Sequence, residues 1–252
     1  MRDEIAKLLL AIQFLTRLPV PAVFTYTEAR MAGSTAYYPL VGVMVGCISA
    51  GIYWLALLVL PQSVSVILAI AAGLLATGAF HEDGLADTFD GIGGGLTPEA
   101  SLEIMKDSRL GTYGAAVLGL ALATKAATLI ALPAHVILIT LPTAHGLSRL
   151  SSVLTIATSR YVRGKGKSKP VATGASPANL AIACITGAAI MMVWLGLLPL
   201  VPLLGGLAGL CAGHLLMRAF FEPKLKGYTG DTLGAVQQAS EIGFYLGVLA
   251  CL

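Results

Sequence analysis

The sequence predicts an all-α polytopic membrane protein with about seven transmembrane helices and an N-terminal helix that is interfacial or re-entrant. Three observations predict this fold. Hydrophobic residues make up 56% of the chain and charged residues 12%, whereas soluble proteins carry about 25% charged residues. The mean hydropathy is +0.83. The charged residues are also collected between apolar runs that are long enough to cross a hydrocarbon core of about 30 Å.

Seven apolar runs are candidate transmembrane helices. They cover, approximately, residues 36–60, 64–80, 112–132, 135–158, 177–199, 201–220 and 235–252. The second run is short, and the last contains Glu241. Residues 1–22 form an eighth, weaker stretch that contains Asp3, Glu4 and Arg17. Because these charges are atypical of a cleaved signal peptide, we expect an interfacial or re-entrant helix there.

The connections between the runs are of two kinds, which predicts the topology. Those near residues 61, 133 and 199–202 are short and uncharged, whereas the N-terminal segment and the connections 81–111, 159–176 and 221–234 hold nearly all the charge. Counting spans puts the charged connections on one side. One of them carries five basic residues, Arg160, Arg163, Lys165, Lys167 and Lys169. The positive-inside rule therefore places that side, the N-terminus included, in the cytoplasm.

The remaining composition bounds the class of protein. The net charge of +3 reports orientation and indicates no nucleic-acid partner. No soluble domain, repeat or long linker is visible, so residues 1–252 form one integral membrane domain. Four cysteines lie in apolar runs without metal-ligand spacing and are predicted to be buried small hydrophobes. They are Cys47, Cys184, Cys211 and Cys251.

An acidic block in residues 81–111 holds seven of the thirteen acidic residues. On a helix, Asp83, Asp87 and Asp90 lie within about 60° of one another. Like charges held this close raise each other's pKa unless a cation neutralises them, and oxygen ligands suit Mg²⁺ or Mn²⁺. The predicted metal ligands are these three residues, and Glu82, which lies off their shared face, is a candidate fourth ligand, a base or a capping group. A solvated acidic face is the structural alternative.

Residues around the carboxylates favour contact with a phosphate. Several glycines allow a phosphate to approach the backbone; they are Gly84, Gly91, Gly93, Gly94 and Gly95. His81 is a candidate to orient phosphate or to take a proton near neutral pH. The alternative for His81 is an interfacial histidine with a satisfied hydrogen bond.

A second polar block precedes the third apolar run. It contains Lys106, Asp107, Ser108 and Arg109, with glycines just beyond. Two cations, a hydroxyl and backbone amides near a helix N-terminus make an anion site. We therefore predict phosphate contact, against the alternative that these residues only flank a membrane helix on its cytoplasmic side.

The third block combines a helix start with polar residues inside apolar runs. Thr229, Asp231 or Thr232 could cap the final helix, but capping explains only one polar residue and does not explain Glu241. An intramembrane carboxylate is costly enough to indicate function. Arg149, one turn after His145 in the fourth run, is interpreted in the same way.

Taken in order, these blocks resemble the cobalamin synthase family, also called adenosylcobinamide-GDP ribazoletransferase. The resemblance runs from about residue 10 to the C-terminus. Its motifs are His81-Glu82-Asp83-Gly84-Leu85-Ala86-Asp87 with Asp90-Gly91, Lys106-Asp107-Ser108 with Gly111 and Gly114, Thr229-Gly230-Asp231 with Leu233-Gly234-Ala235 and Glu241, Gln13-Phe14-Leu15-Thr16-Arg17-Leu18-Pro19, and Tyr38-Pro39-Leu40-Val41-Gly42.

The resemblance implies a Mg²⁺-dependent enzyme of the bacterial inner membrane with its active site at the cytoplasmic side. The 5′-hydroxyl of α-ribazole, or of its 5′-phosphate, attacks the cobinamide-linked phosphorus of adenosylcobinamide-GDP and expels GMP. The products are adenosylcobalamin, or its 5′-phosphate, and GMP. Whether the protein forms a homo-oligomer or associates with other enzymes of the cobalamin pathway is left open.

Residue roles follow as hypotheses from this chemistry. The predicted catalytic residues are Asp83, Asp87, Asp231 and His81. The predicted substrate-binding residues are Lys106, Asp107, Ser108, Arg109, Arg149, Thr229 and Glu241. Asp231 would complete the metal site or accept the hydroxyl proton.

Two alternative functions are weighed against this one. A CDP-alcohol-type membrane phosphotransferase performs the same chemistry, but only Asp83-Gly84 and a later carboxylate spacing match its motif, and Asp87-Thr88 replaces its Ala-Arg. A secondary transporter places polar residues near the midplane of both halves. Here the halves show no self-similarity, and the acidic residues lie at one edge.

Overall fold

The computed structural model describes residues 2–21, 25–163, 171 and 176–252. Within these residues the regular structure is helical, and the one β-type pairing is an isolated bridge. The helices are α1 (Arg2–Leu15), α2 (Glu28–Gly33), α3 (Tyr38–Leu57), α4 (Gln62–Thr77), α5 (Phe80–Gly94), α6 (Pro98–Ile104), α7 (Thr112–Ala131), α8 (Ala134–Thr158), α9 (Pro177–Leu197), α10 (Leu200–Leu225) and α11 (Gly230–Ala250). The all-helical prediction is confirmed. Lys165, Lys167 and Lys169, used to predict orientation, lie outside the described residues.

Four helical stretches within the described residues are long and apolar enough to cross a membrane. They are Glu28–Leu57, which ends with α3, and the helices α7, α9 and α10. Helices α4 and α5 would add a fifth as one broken span. The seven predicted runs are all largely helical, but α8 and α11 are too polar to count as spans by composition. Their polar residues are enclosed by neighbouring helices. A hydropathy average counts these polar residues but does not show that they face other helices and not lipid.

The second predicted run ends earlier than the sequence indicated, because the chain bends sharply there. Gly78 and Ala79 both adopt left-handed backbone conformations, with φ of 66° and 54°. Helix α5 consequently starts at an angle of 86° to α4. This bend turns the acidic residues of α5 aside from the line of α4.

Helices α8 and α11 form the centre of the bundle. Helix α8 packs against α3, α9 and α11, and α11 packs against α5, α7, α8 and α10. The closest of these contacts joins α10 to α11, where a Cβ atom added to Gly209 would lie 2.0 Å from the Gly243 carbonyl oxygen. Two helix backbones therefore touch at this crossing, which is typical of small residues in membrane helices.

The prediction that the four cysteines are buried is wrong. Cys47, Cys184, Cys211 and Cys251 are all exposed on the outside of the bundle. An apolar run in a membrane protein has an outward face as apolar as its inward face. Apolar surroundings in the sequence therefore do not show which face a thiol occupies.

Candidate active site

Two helices that carry motif residues cross in backbone contact. A Cβ atom added to Gly84 of α5 would lie 2.6 Å from the Asp231 carbonyl oxygen, and one added to Gly234 of α11 would lie 3.0 Å from the His81 carbonyl oxygen. Real Cβ atoms do not approach backbone as closely as 2.6 Å, so a side chain at Gly84 would push the helices apart, and one at Gly234 would fit only after a small shift of the backbone. The crossing brings the start of α11 beside the acidic face of α5.

The start of α11 is fixed by a capping box. The Thr229 hydroxyl accepts a hydrogen bond from the Thr232 amide at 3.2 Å, and the Thr232 hydroxyl accepts one from the Thr229 amide at 2.8 Å. Thr229 is fully buried. Its hydroxyl thus has the capping role that was the structural alternative, and Asp231 in the first turn is left to face α5.

Three carboxylates gather at this crossing, and we name Asp83, Asp87 and Asp231 the carboxylate cluster. Asp83 is exposed, and Asp87 and Asp231 are partly buried. Burial, reinforced by the charges of Asp83 and Asp231, raises the pKa of Asp87 to about 7. A carboxyl group in this setting binds a proton more readily than usual, because burial and the neighbouring carboxylates disfavour its charged form more than Arg163 favours it.

One guanidinium faces the carboxylate cluster. Nη1 of Arg163 lies 3.0 Å from Oδ2 of Asp231 in a partly exposed ion pair. The segment before Arg163 is held by the isolated bridge, in which the Tyr228 amide donates to the Arg160 carbonyl at 2.8 Å and the Val162 amide donates to the Tyr228 carbonyl at 3.0 Å. These two hydrogen bonds fix Arg163 beside the start of α11.

Asp90 does not join the carboxylate cluster, although it was predicted as a metal ligand. Its carboxylate accepts hydrogen bonds from the amides of Gly111 and Gly114, both at 2.8 Å. Added Cβ atoms at the two glycines would lie 2.3 Å from the carboxylate oxygens. The anion site predicted at the start of α7 is thus filled by the chain's own Asp90, which replaces phosphate at these amides.

Glu82, which was also considered as a metal ligand, points into the bundle. Lys125 of α7 lies between two carboxylates, with Nζ 2.8 Å from Oε1 of Glu241 and 3.7 Å from Oε1 of Glu82. Gln238 donates to Glu82 at 2.8 Å, and Gln237 donates to Glu241 at 2.6 Å. Four helices are joined here once α8 is included, as described next.

Helix α8 contributes His145 and Arg149. Nδ1 of His145 lies 3.5 Å from Oε2 of Glu241, and Nη1 of Arg149 donates to the His145 carbonyl at 2.9 Å. We name Glu82, Lys125, His145, Arg149 and Glu241 the interior network. They line a cavity of about 20 Å³, which is room for about one water molecule. The predicted substrate-binding residues Arg149 and Glu241 therefore lie in a space too small for a nucleotide.

His81 links the two regions without touching a carboxylate of the cluster by any described hydrogen bond. It is buried and lines both the cavity of the interior network and a second cavity of about 30 Å³ beside Phe14, Tyr38 and Arg149. It therefore lies behind the crossing of α5 and α11, inside the bundle. Its predicted catalytic role stays a prediction.

The second polar block lies on the outer surface, between α6 and α7. Lys106 pairs with Glu103 at 2.6 Å, and Arg109 pairs with Asp107. Both basic side chains are well exposed, and Ser108 is exposed as well. The structure therefore leaves this block accessible but does not place it within the carboxylate cluster.

Two residues of the site were not predicted. Arg163 was used only as evidence of orientation, and Lys125 lies unremarked inside an apolar run. A lone lysine in such a run is a signal that could have found the interior network. Within the residues described, no three or more His, Cys, Asp or Glu side chains are arranged as a ready metal site.

The fold and site define a class of protein: an all-helical membrane protein that gathers carboxylates at one helix crossing and buries an ion network behind it. The sequence model of the cobalamin-5-phosphate synthase family matches residues 7–249. The chain belongs to this family.

Curated relatives agree over nearly the full length. The chain is 42% identical to adenosylcobinamide-GDP ribazoletransferase of Shewanella frigidimarina over 245 residues, which is 95% of this chain and 92% of the relative. It is 40% identical to the protein of the same name from Ralstonia pickettii, covering 99% of this chain and 97% of the relative. The corresponding protein of Vibrio parahaemolyticus is also 40% identical, with 99% and 94% covered. No solved structure matches the chain.

Proposed function

We propose that this chain is an adenosylcobinamide-GDP ribazoletransferase that joins the nucleotide loop of cobalamin. The observation that carries the proposal is the carboxylate cluster, because its three members come from motifs that lie about 140 residues apart yet meet at one crossing. Family membership and the relatives' names support the reaction: transfer of the adenosylcobinamide-phosphate group to the 5′-hydroxyl of α-ribazole, or of its 5′-phosphate, with release of GMP.

The carboxylate cluster fits Mg²⁺, with Mn²⁺ as a substitute. Mg²⁺ is usually held by one or two carboxylates together with substrate phosphates and water, so a complete protein cage is not needed. Asp83 and Asp87 would hold the ion, and the raised pKa of Asp87 is expected of crowded carboxylates that a cation would neutralise. When bound, the metal supplies neutralisation of the diphosphate and of the charge that develops on the attacking and leaving oxygens.

The chain's own residues would orient the reactants and move one proton. The 5′-hydroxyl oxygen forms a bond to the cobinamide-linked phosphorus while the bond from that phosphorus to the GMP oxygen breaks. Asp231, held by Arg163 at 3.0 Å, is positioned to accept the hydroxyl proton. Lys106 and Arg109, exposed beside α7, would contact the phosphates from outside the cluster, because positioning and charge dominate phosphoryl transfer.

The test is GMP release by the purified protein in detergent, with adenosylcobinamide-GDP and α-ribazole, with and without Mg²⁺. We expect metal-dependent release that Asp83→Ala abolishes. Asp87→Asn should lose turnover at limiting Mg²⁺. Absence of GMP release from folded wild-type protein would refute the proposal. A CDP-alcohol phosphotransferase would instead turn over a CDP-alcohol, and a transporter would show activity only between two compartments.

The proposed topology keeps seven spans in the bacterial inner membrane. Helices α8 and α11 contain 25 and 21 residues, or about 37 and 32 Å of helix, which is enough to cross a core of about 30 Å. In this arrangement the carboxylate cluster faces the cytoplasm. A membrane-impermeant thiol reagent applied to intact spheroplasts should label Val59→Cys but not Glu99→Cys in a cysteine-free background; the reverse pattern would invert the orientation.

A further inference from the structure

The side chain of Arg163 carries an unused pair of donors. Its Nη1 atom is paired with Asp231. Within the described part of the chain, its Nε and Nη2 atoms are buried and have no hydrogen-bond partner. A buried donor without a partner lowers stability by about 1–3 kcal/mol. Two such donors on one side chain are therefore unusual and call for an explanation.

The two free atoms belong to the same edge of the guanidinium. Nε–H and one Nη2–H point in parallel from that edge and match two oxygens of a phosphate, which is the bidentate geometry that favours arginine over lysine. The same edge is used by Arg109, whose Nε and Nη2 both bind Asp107. Arg163 therefore holds Asp231 with one corner, while its Nε and Nη2 fork is buried and has no hydrogen-bond partner among the residues that the structure describes.

The surroundings favour an anion that arrives with a cation. Asp83, Asp87 and Asp231 bring three carboxylates beside the Arg163 guanidinium, so a phosphate alone would be repelled from the carboxylate face. The fork lies on the side of Arg163 that does not contact Asp231. A phosphate bound by the fork would thus lie next to the carboxylate cluster without displacing the ion pair.

We propose that Arg163 is a substrate-binding residue whose Nε and Nη2 donors clamp one phosphate of a nucleotide diphosphate beside the carboxylate cluster. The inference rests on the proposed function and adds the residue that sets the diphosphate in place. The ion pair with Asp231 and the two bridge hydrogen bonds fix the direction of the fork before substrate arrives. The chemistry recognised is a diphosphate, and binding does not depend on the identity of the base.

The test measures binding and turnover separately. Adenosylcobinamide-GDP binding is measured by equilibrium dialysis in detergent without α-ribazole, for wild type, Arg163→Lys, Arg163→Gln and Asp231→Asn. Because hydrogen bonds to charged groups are worth about 1.5–3 kcal/mol, both Arg163 substitutions should weaken binding by about 10- to 100-fold. Lysine should not restore it, since it lacks the fork.

Two controls separate the clamp from a structural role. Asp231→Asn should lose turnover, and its affinity for substrate should fall less than that of either Arg163 variant, because Nε and Nη2 of Arg163 remain as donors although the ion pair that orients them is lost. Arg160→Lys is the matched control: it lies on the same segment, its side chain is exposed, and its binding should be unchanged. Thermal unfolding and size-exclusion profiles report folding of every variant.

Each outcome decides the inference. Wild-type affinity in Arg163→Lys would overturn it and leave the proposed function standing, because GMP release by wild type is scored separately. If both Arg163 substitutions prevent folding, Arg163 is structural and the inference is wrong. If wild type binds substrate and both Arg163 variants lose affinity, but GMP is never released, the clamp holds and the proposed function fails.

Discussion

Removal of Lys125 is the sharpest perturbation of the interior network. Its ammonium lies 2.8 Å from Glu241 and 3.7 Å from Glu82, and the Lys125 and Glu241 side chains are 5% and 2% exposed. Lys125→Met keeps the length of the side chain and removes the charge. Breaking one partner of a buried ion pair typically costs about 3–5 kcal/mol, because the remaining charge is buried and unpaired.

The expected loss in free energy of unfolding for Lys125→Met is therefore about 3–5 kcal/mol. Adding Glu241→Gln removes the orphaned carboxylate, so the double variant should recover a large part of that loss. Lys125→Arg should cost less than Lys125→Met, since it keeps the charge.

The assay is reversible unfolding of the detergent-solubilised protein by a denaturing surfactant, followed by circular dichroism for the four members of the double-mutant cycle. The coupling energy between positions 125 and 241 is the quantity of interest. A loss below about 1 kcal/mol for Lys125→Met, or strict additivity in the cycle, would refute the reasoning, because either result means that the pair is solvated.

Three further predictions concern other parts of the molecule. Asp90→Ala should lower the free energy of unfolding by about 1–2 kcal/mol, because it removes the cap of α7. Asp87→Asn should instead weaken Mg²⁺ binding with little loss of stability. Equal Mg²⁺ affinity of wild type and Asp87→Asn in calorimetry would contradict this expectation. Gly209→Ala should lower the free energy of unfolding by about 1–3 kcal/mol, because the added methyl group overfills the contact between α10 and α11. Gly119→Ala is the control, because a Cβ atom there would have nothing within 4 Å. In the same surfactant titration it should be neutral or stabilising. Lys106→Ala removes an exposed ion pair worth less than about 1 kcal/mol, so a raised KM for adenosylcobinamide-GDP at unchanged stability would mark Lys106 as a substrate contact, and an unchanged KM would exclude it.

The sequence located the polar motifs but not all of their partners. The spacing of Asp83 and Asp87 correctly placed both on α5, and the start of α11 was correctly expected to carry a cap. Helical periodicity also put Asp90 with them. It could not show that the amides of Gly111 and Gly114 would take this carboxylate, because that contact depends on how α7 packs against α5.

The distribution of charged residues along the sequence predicted the class of protein, a membrane protein, but not the positions of individual charged side chains. Arg163 counts as one more cytoplasmic cation in any topology argument, and only the pairing of its segment with Tyr228 shows where its guanidinium lies. Glu82 adjoins Asp83 in the sequence but is turned about 100° away on the helix, so it faces the interior. Adjacent acidic residues thus serve different sites.

The crossing of α5 and α11 has a consequence for how sequences in this fold can change. Because Gly84 and Gly234 bring two main chains together with no side chain between them, the spacing of the carboxylates is set by the backbone itself. Repacking of neighbouring side chains cannot compensate for an added atom there. Substitutions at these two glycines would therefore move the carboxylates of α5 relative to Asp231 of α11, whereas substitutions on the outward faces, where the thiols lie, leave this spacing unchanged.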